Sequence, residues 1–129
     1  MSAHFTVQAE PARDLIRISM AGFFTHADIQ AFYDTRAVEH ARLTCGPNQY
    51  LTLNDLSRLK VQSQEVVAAF QALLAEPAYR SRKLAFVVDR TLARSQLMRA
   101  LDGRDAKCFE AMAEAEKWLF AFDPREVAA

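Results

Sequence analysis

Two apolar runs in this chain end in carboxylates. Tyr50 to Leu56 carries Asn54-Asp55 near its end, and Leu84 to Val88 is closed by Asp89-Arg90. In an open α/β sheet, ligands bind in the crevice outside the carboxyl ends of the strands. Asn54, Asp55 and Asp89 are therefore a candidate polar cluster that orients a ligand. A pair of carboxylates is also the equipment of acid-base hydrolysis, so a small hydrolase using Asp55 and Asp89 is one reading, although the sequence does not fix the separation such chemistry needs. The plainer reading is that both aspartates accept hydrogen bonds from loop amides or pair with Arg90.

Other reactive side chains lack the company their chemistry requires. Neither Ser57 nor Ser63 is flanked by glycine, as a nucleophile elbow demands. The three glycines, Gly22, Gly46 and Gly103, are too scattered for a phosphate-cradling loop. His26 and Asp28 lie about 200° apart around a helix, and His40 and Cys45 straddle a helix end, so neither pair has metal-site spacing. Cys45 and Cys108 form no CxxC motif. The expectation is a non-enzymatic protein with no cofactor and no metal.

The aromatic residues point elsewhere. Phe70, Phe86, Phe109 and Trp118 fit a core, whereas Phe23-Phe24 before a helix and Phe120 with Phe122 on different faces of the last helix exceed what a core explains. Surplus apolar surface implies a ligand cavity, a membrane-surface contact or an oligomer interface. Phe23, Phe24 and Tyr33 on the first helix are the apolar candidates for ligand contact, beside the polar candidates Asn54, Asp55 and Asp89.

At 129 residues with 51% hydrophobic content, the chain suits one domain spanning residues 1–129, with 123–129 as a frayed tail. Sixteen basic residues balance sixteen acidic ones. A nucleic-acid partner, which calls for a basic excess, is not expected. No run approaches the ~20 apolar residues of a membrane span, and no secretory signal opens the chain, so a cytoplasmic location without a transmembrane segment is expected.

The elements that would position these residues follow from periodicity. Phe5, Val7 and Ala9, then Ile16, Ile18 and Met20, alternate with polar residues as half-buried strands do, and the short Pro11–Asp14 connection makes them a hairpin with an edge strand. Thr25-His26-Ala27-Asp28 has the form of a capping box opening a helix to about Leu43, with Ile29, Phe32, Tyr33, Ala37 and Ala41 as its apolar face. A third strand, Tyr50 to Leu56, precedes a helix capped by Ser63 whose buried stripe is Val66, Val67, Phe70, Leu73 and Leu74. Leu84 to Asp89, apolar on both faces, reads as the core strand of the sheet. A helix from Thr91 to Leu101, a short strand over Ala106 to Phe109 and a last helix from Glu110 to about Phe122 complete the order β-β-α-β-α-β-α-β-α. Right-handed crossovers then give an α/β fold with a mixed, mostly parallel five-stranded sheet and four helices.

That order resembles the STAS domain family, the fold of bacterial anti-sigma factor antagonists and of the cytoplasmic domain of sulfate transporters. The resemblance is closer to its stand-alone SpoIIAA-like branch. It rests on the strand Tyr50-Leu51-Thr52-Leu53-Asn54-Asp55-Leu56 with its following loop and helix, and on Cys108-Phe109-Glu110 followed by Ala115 to Leu119. In the antagonists, the loop after the third strand carries Asp-Ser-Ser-Gly, whose serine is phosphorylated by a partner kinase. The stretch here, Arg58-Leu59-Lys60-Val61-Gln62-Ser63-Gln64, lacks that motif and offers only Ser63. The branch also resembles lipid-transfer domains in fold description, which implies an apolar ligand. The expected function is binding of an apolar small molecule, lipid or fatty-acid-like, or of a protein partner, with a homodimer as one use of the surplus aromatics. The alternative is a regulatory protein switched by phosphorylation of Ser63.

Overall fold

The computed structural model describes residues 2–46, 48–76, 80–88 and 105–121. Strand β1 (His4–Glu10) turns through a single 3-10 turn, Pro11–Arg13, into β2 (Leu15–Gly22). Asp14 closes that turn in the left-handed conformation at φ 52°, and its carbonyl accepts a 2.7 Å hydrogen bond from Leu51 N–H. Helix α1 (His26–His40) precedes β3 (Leu51–Leu59), α2 (Gln64–Ala75) precedes β4 (Lys83–Val87), and β5 (Ala106–Phe109) precedes α3 (Met112–Leu119).

The strands lie in the order β1-β2-β3-β4-β5 in one sheet, β1 antiparallel to β2 and the rest parallel. The hairpin and the edge position of β1 agree with the sequence reading. The middle strand, however, is β3 and not the fully apolar β4; β4 is buried throughout because β3 and β5 flank it and side chains cover both faces. β3 also runs on to Leu59, three residues past the apolar run, because Arg58 and Leu59 pair with Ala21 and Gly22 beyond an irregularity between Ser19 and Ala21. The helix expected over Thr91 to Leu101 lies outside the described residues, where three helices and five strands are seen.

The sheet separates two cores. On one face Ile16, Ile18, Met20, Leu84, Phe86 and Val88 meet Ile29 and Phe32 of α1 and Val66 of α2. On the other, Leu15, Leu51, Leu53, Ala85 and Val87 pack against Ala115 and Leu119 of α3. The two-residue strand period assigns these sides. Arg17, on the α3 side, joins Glu10 at 2.8 Å and Glu116 at 3.0 Å, tying the hairpin to that helix.

The helix starts follow their caps. Thr25 and Asp28 exchange the reciprocal side-chain to backbone bonds of a capping box, and Ser63 Oγ accepts from Val66 N–H at 3.2 Å. α1 stops at His40, short of Leu43, where the next residues tighten into a turn through Arg42 N–H to Glu39 O and Leu43 N–H to His40 O. α3 begins two residues later than the sequence period suggested, and Phe120 already lies past its end.

Candidate functional site

Helices α1 and α2 do not close completely over their face of the sheet. A cavity of about 100 Å³ remains between them and strands β2, β3 and β4. One ordered water needs about 10–15 Å³ on that scale, so the space takes a group of several non-hydrogen atoms. Its roof is one stripe of α2, formed by Val67, Phe70, Leu73 and Leu74. These residues recur at helical spacing and were expected to be buried, yet only Val66 of that helix is; the others are half-buried because the cavity lies beneath them.

The floor is apolar on both flanks, with Ile18 and Met20 from β2 and Leu84, Phe86 and Val88 from β4. Its middle is polar. Thr52 and Asn54, two residues apart on β3, face the cavity where a central strand covered on both sides would normally be apolar. Thr52 Oγ1 and Ser81 Oγ share a 2.8 Å hydrogen bond. Asn54 is 7% exposed, and among the described residues its amide makes one hydrogen bond, a long 3.4 Å contact from Nδ2 to Ala85 O. One N–H and the carbonyl oxygen of that amide are thus left to whatever enters the cavity.

The wall from α1 consists of Phe32 and, one turn on, Arg36. α1 returns antiparallel to the strands it connects, as shown by Glu39 Oε1 accepting from Ala9 N–H at 3.0 Å beside the start of β2. Arg36 therefore stands toward the amino ends of the strands, one turn from His40, whose ring meets Tyr50 edge-on at 4.9 Å. Burial, and secondarily the Arg36 charge, holds the His40 imidazole below its ordinary range.

Gln62 and Leu59 form the opposite end. The Gln62 side chain is buried and joins two loops: its Oε1 accepts from Phe24 N–H at 2.8 Å, and its Nε2 donates to Gly22 O and Lys60 O. Gly22 beneath it has φ +81°, and a Cβ there would stand 2.4 Å from Ser2 O, so only glycine fits this crossing. On the two tied loops, Phe23 and Val61 are exposed at 51% and 41%.

The predicted site residues are thus dispersed. Asn54 is in the cavity floor. Asp55, its neighbour in β3, points to the other face, and its Oδ1 accepts from Ser57 N–H at 3.1 Å and Ser57 Oγ at 2.7 Å, both within the same strand. Asp89 lies outside the described residues, as does Phe122. Phe24 is a core residue, 5% exposed between Phe5 and Phe70 at ring distances of 6.3 and 5.7 Å, and is not part of the cavity wall. Tyr33 is half-buried on α1 and likewise off the wall, while Ser63 is exposed at the start of α2. Phe120, surplus in sequence, is 40% exposed beneath the Arg13 guanidinium, 4.7 Å from its ring centre.

Sequence reasoning missed Arg36 and Gln62. Arg36 had a signal: it interrupts the apolar stripe of α1 at the position four residues after Phe32. Gln62 had none, because its partners lie about forty residues away in the chain.

An α/β sandwich of this order, with an antiparallel edge hairpin on a parallel sheet, is the SpoIIAA-like fold. A solved structure that shares it is an uncharacterised protein of the DUF3478 family from Shewanella loihica PV-4, described as having a SpoIIAA-like fold. It is similar to this chain with a TM-score of 0.71 over 92% of this chain and 96% of the other, at 17% identity. At that identity the likeness is one of fold. No family model matches the chain, and no curated protein matches it.

Proposed function

We propose that this protein is a non-enzymatic binding domain for an apolar small molecule, held between the sheet and helices α1 and α2. The observation that carries the reading is the half-open apolar cavity with an underused amide in its floor. Ligand sites are typically concave, mostly apolar, and marked by a few convergent polar groups. Van der Waals contact with Phe32, Phe70 and Phe86 would hold the ligand body, and Asn54 would fix its orientation. This places the ligand deeper in the fold than the carboxyl-end loops, with Asp55 turned away from it.

The reading is tested by native mass spectrometry of the purified protein, paired with titration of a fluorescent acyl probe. One apolar molecule per chain, or saturable probe binding, is expected, and Leu73→Trp should fill the cavity and abolish both. A protein that carries no apolar molecule and takes up no probe contradicts it, as does a folded Leu73→Trp variant that binds like the parent.

A second reading is regulatory. Ser63 is exposed at the first turn of the helix that roofs the cavity, where a phosphate would gain from the helix dipole. Ser63→Asp should then alter acyl-probe affinity, and an unchanged affinity in a folded variant would set the reading aside.

A further inference from the structure

Building on the cavity reading, we infer that the ligand is an amphipathic carboxylate, with its anionic end at Arg36 and its apolar body running along the strands toward Gln62.

Three features lead there. First, Arg36 is the one charged side chain among the described residues that line the cavity; the other walls are aliphatic, aromatic, hydroxyl or amide. A guanidinium offers five N–H donors in a planar fork that matches a carboxylate in bidentate fashion. Walls of low polarity strengthen that attraction relative to water.

Second, the lining residues have an order along the strands that the topology defines. Thr52 and Leu84 lie at the Arg36 end, while Leu56, Val88 and Gln62 lie at the other. From Thr52 to Leu56 is four strand residues, or about 13 Å at about 3.3 Å per residue. That length suits a medium acyl chain or a substituted aromatic body, with a single charged end.

Third, the polar groups are arranged along this axis on one side only. Thr52 and Asn54 form a strip on the central strand, and Asn54 retains a donor and an acceptor. The roof, formed by α2, has no polar side chain facing it among the lining residues. A neutral hydrocarbon would leave the Asn54 amide without a ligand partner, at the cost that buried polar groups carry when unmatched. An amphipathic carboxylate matches the charge at one end and the apolar walls elsewhere.

The test compares decanoate with decanol, equal in chain and different in charge, by calorimetric titration of the parent, Arg36→Gln and Arg36→Lys. Decanoate is expected to bind the parent about tenfold or more tightly than decanol, the scale of a hydrogen bond to a charged group. Arg36→Gln should erase that preference while leaving decanol affinity within about twofold, and Arg36→Lys should keep part of it. Equal affinities of the parent for the two probes would overturn the carboxylate inference and leave the apolar cavity reading intact. Binding of neither probe would overturn both. A preference for decanoate that survives in Arg36→Gln would also overturn the assignment, since another cation would then hold the head group.

Discussion

Asn54 places an amide in the buried part of the sheet's middle strand, with one long hydrogen bond among the described residues to show for it. Asparagine is a poor strand former, and a buried amide with unused hydrogen-bonding capacity costs about 1–3 kcal/mol. Leucine at this position keeps the branched outline of asparagine, places its larger methyl groups toward the cavity and removes the cost. Asn54→Leu is therefore expected to stabilise the free protein by about 1–2 kcal/mol, raising its melting temperature by about 3–6 °C. The same change should weaken binding of any ligand that hydrogen-bonds in the cavity. Thermal denaturation and titration of one sample check both signs, and a variant that loses stability would show that the amide is structural. Gain in stability with loss of affinity is the pattern of a residue kept for function.

At the scale of elements, the sheet and its helices differ in how firmly they are held. β4 and the first four residues of β3 are buried on both faces, while α2 buries one residue, Val66, and rests the remainder of its stripe on the cavity. An element with few buried apolar contacts opens at low free energy. α2 is thus the natural gate, hinged where Ser63 caps it and Gln62 anchors the preceding loop to Phe24 and Gly22. Amides of α2 should exchange with deuterium orders of magnitude faster than those of β3 in the free protein, and a cavity ligand should slow α2 selectively. Hydrogen exchange followed by mass spectrometry would show it; equal protection of α2 and β3 in the free protein would remove the gate. The sequence already held the starts of α1 and α2 and the alternation of β2, because capping residues and hydrophobic period are local signals: Thr25 with Asp28, Ser63, and Ile16, Ile18 and Met20, whereas the ends of α1 and β3 depend on turns and pairing partners it does not show. Which face of α2 would be covered was not legible, since its apolar stripe looks the same over a packed core and over a cavity. For the same reason Phe24 and Phe23, adjacent and identical in type, could not be told apart, though one is core and the other solvent-facing.

For the molecule as a whole, acid should act in two steps, and the first reports on the cavity. The Glu10 carboxyl, hydrogen-bonded first by Arg17 and then by Arg13, is held below its ordinary 4.5. His40, through burial and then the Arg36 charge, is held below 6.5. Both groups bind protons more weakly in the folded chain than in the unfolded one, so for each the unfolded state takes up more protons as pH falls. The His40 contribution is complete above 6.5 and is lost as pH falls from there toward the folded value. The Glu10 contribution is complete above 4.5 and is lost further into acid, when its ion pairs with Arg17 and Arg13 within the hairpin are released. Melting temperature measured from about pH 8 to about pH 3 should therefore fall in two stages, with His40→Gln removing the first and Glu10→Gln the second. Arg36→Gln should shrink the first stage without touching the second, because it removes only the charge that adds to the burial of His40. A carboxylate bound at Arg36 would do the same to the parent, so saturating decanoate should flatten the first stage while decanol leaves it unchanged. If both probes bind and neither alters that stage, the ligand charge does not reach Arg36, and the carboxylate assignment falls.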